Sequence, residues 1–537
     1  MPEMTGAQIL VAQLRAEGVD TVFGLPGVQI MPAIDALHEQ RDHIRLVHAR
    51  HEQATTYMAD GYARVTGRVG VAMVVPGPGA LNAAAGLGTA YASSSPVLMI
   101  SGQVPSTSLG RRRGELHEID EQLDVFRPIT KWNDRVTRVE AIPECVHEAF
   151  RQLRTGRPRP VEIEVPPDTL AACATAEIIE AKDYPVKTVE PADIERAVEV
   201  LAGAERPAII AGGGTISGAA SAELAELAEL LQAPVVTSQQ GKGAMPHDHP
   251  LLVGVDYYYS PVAELVADAD AVLAVGTRLQ ITRPEVETLP NLIHIDADPD
   301  EIGKHFAVEV GIEADARQAL GMLVRGVRAL GLSRESRAAV IRERRAAFEG
   351  TVRDLVPEQC DMVDAMRSAL DDDAIVVSGV TNLGYWSNVA FPVRQPRTYI
   401  TSSYFGTLGY AFPTALGAKV ACPGRQVVAL CGDGGFMFAC QELSTARAHG
   451  INVVAVVFNN DAYGASRWDQ AHRYGGRFIA TELENPDFMK LADAFGVVGL
   501  RTSPEGLGAA LSEALSADAP VVLEVRVPVM MPPFQVV

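Results

Sequence analysis

Cysteine is scarce in this chain and oddly placed: the six residues Cys145, Cys173, Cys360, Cys422, Cys431 and Cys440 never stand in CxxC spacing. That argues against a disulfide framework and against a structural zinc site. Aromatic residues make up only 6% of the 537 positions, with three tryptophans. Basic charge is in deficit, 46 Lys and Arg against 67 Asp and Glu for a formal net charge of -21, so a phosphate-tracking nucleic-acid surface is not expected. No uninterrupted apolar run approaches about 18 residues, which leaves no transmembrane helix to expect. The first residues carry no basic stretch followed by an apolar one; the expectation is a soluble, cytoplasmic protein.

Apolar residues amount to 47%, enough for several packed cores. At roughly 100–200 residues per domain the length suggests about three domains. Ile9, Leu10, Leu14 and Val19 fall at helical spacing behind Thr5, a candidate N-cap. Short Val/Ile/Leu/Ala runs recur at residues 69–75, 96–100, 208–211, 234–237, 271–275, 292–295, 374–377, 426–430, 453–458 and 520–525, between longer helical stretches. That alternation predicts an α/β fold, its mostly parallel sheets flanked by helices. Residues 174–193 read as a linker, and residues 333–350 as a charged, solvated helix. The domains are therefore expected at 1–185, 190–340 and 355–537.

The most informative stretch is residues 431–464. A strand delivers Gly432, Asp433, Gly434 and Gly435 at its C-terminal end, where α/β sheets place ligands. A second strand delivers Asn459 and Asn460 at the same edge, 460 − 433 = 27 positions after Asp433. A carboxylate and an amide oxygen brought together this way suit Mg²⁺, and the glycines admit phosphate oxygens to the backbone. Taken alone, each is also readable as a turn after a strand. Elsewhere Ala49, Arg50, His51, Glu52, Gln53 and Ala54 precede Ala59, Asp60, Gly61, Tyr62, Ala63 and Arg64. Glu52 alone is equally a solvated residue at a helix start.

Together these segments resemble the thiamine diphosphate-dependent enzymes, in the group of acetohydroxyacid synthase, benzaldehyde lyase and oxalyl-CoA decarboxylase. The diphosphate–Mg²⁺ motif of that family is GDG, a gap, then NN; here the gap is 458 − 435 + 1 = 24 residues. The resemblance spans essentially the whole chain. It implies a pyrimidine-binding domain, a central Rossmann-like domain and a diphosphate-binding domain, in that order. It also implies Mg²⁺ held by Asp433, Asn460 and the carbonyl of Ala462, with Tyr463 and Gly464 beside the cofactor. Glu52 takes the place of the glutamate that activates the aminopyrimidine. Pro26 and Gly27 fall in a loop near the reacting carbonyl, and Gly77 and Asn82 in a PGPGxxN turn near the pyrimidine. Thr381 and Asn382 become a second diphosphate contact. Leu408 becomes the apolar wedge that bends the cofactor, though a lone leucine is otherwise read as core.

Departures from the pattern matter as much. His117 stands where related sequences have glutamine, and histidine moves protons near neutral pH as glutamine cannot. A solvated loop histidine is the alternative. Gln29 replaces the histidine of benzaldehyde lyase, and Trp468 is one residue out of register with a pocket tryptophan of acetohydroxyacid synthases. The central glycines Gly212, Gly213 and Gly214 are a weak nucleotide signal. Residues 276–282 lack an FDDR-type segment, while residues 294–299 match the family's HIDxDP element. FAD is thus left without support.

The expected activity is a decarboxylase or carboligase acting on a 2-oxo acid or acyloin, or with an aldehyde acceptor, through a C2 ylide and an enamine. Glu52, His117, Gln29 and Gly27 are its candidate catalytic residues. An acetolactate synthase catalytic subunit with FAD is the first alternative, and a flavin- or NAD-dependent oxidoreductase is one from another class. The resemblance also implies a homodimer or homotetramer with each active site across a subunit interface.

Overall fold

A computed structural model describes residues 3–185, 187–256, 262–280 and 286–535. Its strands form three six-stranded sheets and one two-stranded ribbon.

The first sheet runs in the order β3 (Arg45–His48), β2 (Thr21–Gly24), β4 (Gly70–Val74), β5 (Val97–Gly102), β7 (Val161–Val165), β6 (Trp132–Arg135). The third runs β16 (Tyr399–Thr401), β15 (Ile375–Ser378), β17 (Val427–Gly432), β18 (Val454–Asn459), β20 (Val521–Arg526), β19 (Val498–Thr502). Numbered within each sheet, the two orders are the same, 2-1-3-4-6-5. Between them in sequence lies β11 (Leu252–Asp256), β10 (Val235–Ser238), β9 (Pro207–Ala211), β12 (Ala271–Val275), β13 (Ile293–Asp296), β14 (Val310–Glu313), which has the doubly wound order 3-2-1-4-5-6. All pairings in these three sheets are parallel, whereas β1 (Met4–Thr5) and β8 (Cys173–Ala174) pair antiparallel. Burial on both faces explains the unbroken apolar runs: β4, β5, β9, β12 and β18 are buried at every position.

Local signals act as expected. Thr5 caps the helix Gly6–Ala16 in a reciprocal capping box with Gln8, and Ile9, Leu10 and Leu14 are fully buried. Val19 lies beyond that helix but is still buried. Among the described residues, 175–190 hold no helix or strand, and the charged stretch becomes the largely exposed helix Ala338–Leu355. All six cysteines are unpaired.

The first and third sheets share one core. Tyr57, Met58, Tyr410, Phe412 and Leu416 are buried in it together, where the helix Glu52–Thr66 packs on the helix Ala411–Ala421. The approach is backbone to backbone. A Cβ on Gly61 would fall 2.0 Å from the Thr414 oxygen, and one on Gly417 would fall 1.9 Å from the Met58 oxygen. These pairs also fix the direction: the helices run antiparallel, and Arg64 reaches the Tyr410 hydroxyl at 3.4 Å.

A two-part candidate active site

Sheets of this kind gather loops at the C-terminal ends of neighbouring strands where the strand order reverses. In the first sheet that place is the junction of β2 and β4. The loop after β2 brings Pro26 and Gly27; a Cβ on Gly27 would strike the Val75 side chain at 2.3 Å, so only glycine lets the loop lie this close. The loop after β4 is the turn at residues 76–79. Gly77 has φ +59°, and a Cβ there would meet the His117 carbonyl oxygen at 2.4 Å. Gly77 thus fits on both counts, conformation and space.

Glu52 opens its helix, where the N-terminal backbone favours an anion. It is half-buried, and its Oε2 accepts a hydrogen bond from Asn82 Nδ2 at 3.0 Å. A Cβ on Gly79 would lie 3.4 Å from Glu52 Oε1. Gln29 is buried; its Nε2 donates to the Leu116 carbonyl at 3.0 Å and its Oε1 has no partner. His117 is half-buried with φ 68°, and its Nδ1 is likewise buried and unpartnered. Glu52, Asn82 and Gly79 are thus in mutual contact, Gly77 lies against the His117 carbonyl, and Gln29 Oε1 and His117 Nδ1 are buried polar atoms left to be satisfied.

The third sheet repeats the arrangement at β15, β17 and β18. Thr381 stands at the N-cap of the helix Asn382–Ala390 without a side-chain capping bond, and a Cβ on Gly432 would lie 3.1 Å from Thr381 Oγ1. Asn382 is buried; its Nδ2 donates to the Met530 carbonyl and its Oδ1 is unpartnered. Asp433 starts the short helix Asp433–Met437 and is 2% exposed. Burial pushes its carboxyl up from the usual range, opposed by hydrogen bonds from Asn485 and from the Gly434 and Ala462 backbones. Ala462 N–H also donates to Asn460 Oδ1 at 3.1 Å, which ties Asp433, Asn460 and Ala462 into one cluster. Tyr463 lies over Gly434, where a Cβ would be 2.7 Å from its ring, and Gly464 faces Asn460 at the same distance. Leu408 is half-buried in a turn, within 3.7 Å of a Cβ placed on Gly435, and so is not simply core.

Two residues here escaped sequence reasoning. Asn485 Nδ2 donates to Asp433 Oδ2 at 2.8 Å and also reaches Asn459 and Asp461. Its only signal was an Asn-Pro pair before a helix cap. Glu524, on the buried face of β20, accepts from Asn459 Nδ2 at 2.7 Å. The paired asparagines thus divide their work: Asn459 is held by Glu524 and Asn485, and Asn460 accepts from the Ala462 N–H.

In the central sheet the glycine turn has a packing explanation. A Cβ on Gly212 would fall 2.0 Å from the Gly276 oxygen, and one on Gly214 would fall 2.6 Å from Gly276 Cα. His294 is fully buried, its Nε2 2.9 Å from the Thr277 carbonyl, so it is not free for a ligand. A cavity of about 860 Å³ adjoins this turn, lined in part by Gln240, Arg278, Asp296 and Arg397. Ile281 and Thr282 lie outside the described residues. Trp468 stacks on His472 in the helix Gly464–Arg473, which buries no residue.

A glutamate at one set of glycine-rich strand ends and a carboxylate–amide cluster at another, on two sheets of the same strand order, are the features of a protein that binds a diphosphate-bearing cofactor. Family models agree. Residues 4–125 match "Thiamine pyrophosphate enzyme, N-terminal TPP binding domain", residues 194–323 the central domain and residues 379–525 the C-terminal TPP binding domain. A probable acetolactate synthase large subunit of Methanocaldococcus jannaschii is 36% identical over 97% of this chain and 92% of its own length. A probable 2-ketoarginine decarboxylase of Pseudomonas aeruginosa is 39% identical over 92% and 88%. The acetolactate synthase isozyme 3 large subunit of Escherichia coli is 34% identical over 96% and 93%. The chain belongs to the thiamine diphosphate-dependent enzymes, in the acetolactate synthase group. Among the described residues no helix is long and apolar enough to cross a membrane.

Proposed function

We propose that this enzyme is a Mg²⁺-dependent decarboxylase or carboligase of a 2-oxo acid. The observation that carries the reading is the Glu52–Asn82 hydrogen bond, with Gln29 Oε1 and His117 Nδ1 buried and unpartnered on the neighbouring loops. The residues fit the cofactor. Among the described residues no cluster of three or more His, Cys, Asp or Glu could hold a metal. One carboxylate, one amide and a backbone carbonyl, from Asp433, Asn460 and Ala462, are the sparse oxygen set that Mg²⁺ accepts when phosphates complete its shell. Thr381, Gly432, Gly434, Gly435, Tyr463, Gly464 and the unpartnered Asn382 Oδ1 would line the diphosphate, and Leu408 the ring junction.

When bound, thiamine diphosphate supplies an electron sink for the pair left as CO₂ departs. Glu52 holds a proton at Oε1, the oxygen not engaged by Asn82. Gln29 orients the substrate through Oε1, and His117 moves a proton at Nδ1 between substrate and crevice. Pro26, Gly27 and Gly77 let the backbone close on the reacting atoms.

The family likeness supports a site built from two chains, with a homodimer as the minimal active unit and a homotetramer the expected one. We place the pyrimidine-binding, central and diphosphate-binding domains at 1–185, 190–340 and 355–537, and the enzyme in the cytoplasm. The relatives' names bracket the outcome, acetolactate formation on one side and 2-ketoarginine decarboxylation on the other.

The test is a panel of linear, branched, aromatic and guanidino 2-oxo acids, with and without acceptor aldehydes, assayed for CO₂, free aldehyde and hydroxyketone. Release of CO₂ that requires both thiamine diphosphate and Mg²⁺ is expected. Turnover without CO₂ loss from every acid would overturn the reading.

A further inference from the structure

Below the glutamate crevice lies a fully buried polar network that the proposed chemistry leaves unexplained. Glu162 and Glu164 both project from β7 with no exposure, beside Ser101 and Gln122, which are also buried. Glu164 Oε2 accepts from Arg135 Nε at 2.5 Å and from Gln103 Nε2 at 2.9 Å, while its Oε1 accepts from Gln122 Nε2 at 3.1 Å. Glu162 accepts from Ser101 Oγ at 2.7 Å; burial, reinforced by the Glu164 charge, pushes its carboxyl well above the ordinary range.

The orientation of Gln122 follows from its neighbours. Its amide nitrogen faces acceptors, namely Glu164 Oε1, the Gly102 carbonyl at 3.3 Å and Ser101 Oγ at 3.1 Å. Two of these three cannot donate, so the amide cannot flip. Its Oε1 is thereby aimed at Gly77, whose N–H donates to it at 2.8 Å. Gly77 stands between Pro76 and Pro78, and proline has no N–H. The Gly77 amide is therefore the single main-chain donor by which this turn can be tied down. The turn has two dependants: it starts the helix Pro78–Ser93 that carries Asn82 to Glu52, and Gly77 Cα packs against the His117 carbonyl.

We propose that Gln122, aimed by Glu164, is a positioning residue that fixes the 76–78 turn and through it both Asn82 against Glu52 and the place of His117. Only the His117 part rests on the reaction proposed above.

The apoprotein allows a direct test. Because Pro76 and Pro78 carry no amide hydrogen, hydrogen–deuterium exchange in a peptide over residues 74–78, whose first two residues do not retain the label, reports Gly77. Gln122→Met keeps the length and removes the acceptor for Gly77 together with the three donations of the amide; Gly77 should exchange roughly five- to tenfold faster. Glu164→Gln frees the amide of Gln122 to flip, and exchange should rise by a smaller factor. The exchange of roles, Gln122→Glu with Glu164→Gln, restores an acceptor for Gly77 and a donor between the two side chains, and protection should return to within about threefold of wild type. In the holoenzyme, kcat should fall roughly 10-fold or more in Gln122→Met with KM changed less, and recover in the double variant. Wild-type Gly77 exchange in Gln122→Met and Glu164→Gln, or a double variant no better protected than either, overturns the proposal. Exchange needs no substrate, so intact exchange effects with no CO₂ release would fault the reaction and spare the network.

Discussion

Replacing Glu52 by glutamine separates binding from activation, because the two shapes are nearly identical. Asn82 Nδ2 donates to Glu52 Oε2 at 3.0 Å, and a glutamine meets that donor only with its carbonyl oxygen. Its NH₂ is then forced to the position of Oε1, beside Gly79, where the carboxylate presented an acceptor. The variant has a donor where a proton must be held. Loss of a positioned acid–base group costs about 10²–10⁴-fold in rate, or about 3–5 kcal/mol of barrier. Binding loses at most one exchanged hydrogen bond, about 1 kcal/mol or roughly fivefold in affinity. The assay is exchange of the cofactor C2 proton into D₂O, quenched in acid and read by NMR, alongside calorimetric titration of thiamine diphosphate. Asn82→Ala is the graded control: it removes one donor but leaves the carboxylate, and should slow exchange by about tenfold or less. Wild-type exchange in Glu52→Gln, or equal losses in affinity and exchange, would refute the assignment of Glu52.

Asp433→Ala removes the one carboxylate of the Asp433–Asn460–Ala462 cluster, and calorimetry with Mg²⁺ and thiamine diphosphate should show at least about a 100-fold weaker complex; equal affinity would sink the metal site. Gly417→Ala places a Cβ 1.9 Å from the Met58 oxygen and should cost about 3 kcal/mol by forcing two helices apart. Gly350→Ala, in the helix Ala338–Leu355 with nothing within 4 Å, should instead add about 0.5–1 kcal/mol; chemical denaturation reads both. His449 Nε2 accepts from the His48 backbone N–H at 3.2 Å, and burial, aided by His48 and Arg45, lowers the His449 pKa from 6.5 to about 4. Below about 6.5 the unfolded chain takes up a proton that the folded chain refuses, so stability falls as pH drops toward 4 and levels off below it. His449→Gln keeps an acceptor without titrating, and its denaturation midpoint should fall less over that window.

What the sequence revealed was set by how each segment is buried. Strands covered on both faces must be apolar throughout, so β4, β5, β9, β12, β17 and β18 stand out as runs. β7 reads Val161, Glu162, Ile163, Glu164, Val165, an alternation that implies one wet face, yet all five residues are buried. The dry face is tolerated because Gln103, Gln122 and Arg135 satisfy Glu164, while Ser101 donates to one oxygen of Glu162 and burial pushes that carboxyl up toward its neutral form. Partners from β5, β6 and the helix Gln122–Phe126 are distant in sequence, so no local pattern could announce them. The same logic divides the site. Asp433 and Asn460 were legible because one strand–helix–strand repeat fixes their spacing, and glycines mark where backbone must approach. Asn485 and Glu524 were not, since each reaches its partner across the sheet edge from a segment with no spacing constraint. His117 is the intermediate case: its chain context is a charged loop, yet its Nδ1 is buried and its left-handed backbone lies against Gly77. Its environment is thus inherited from the turn that Gln122 holds, and a change at either residue should be felt at the other.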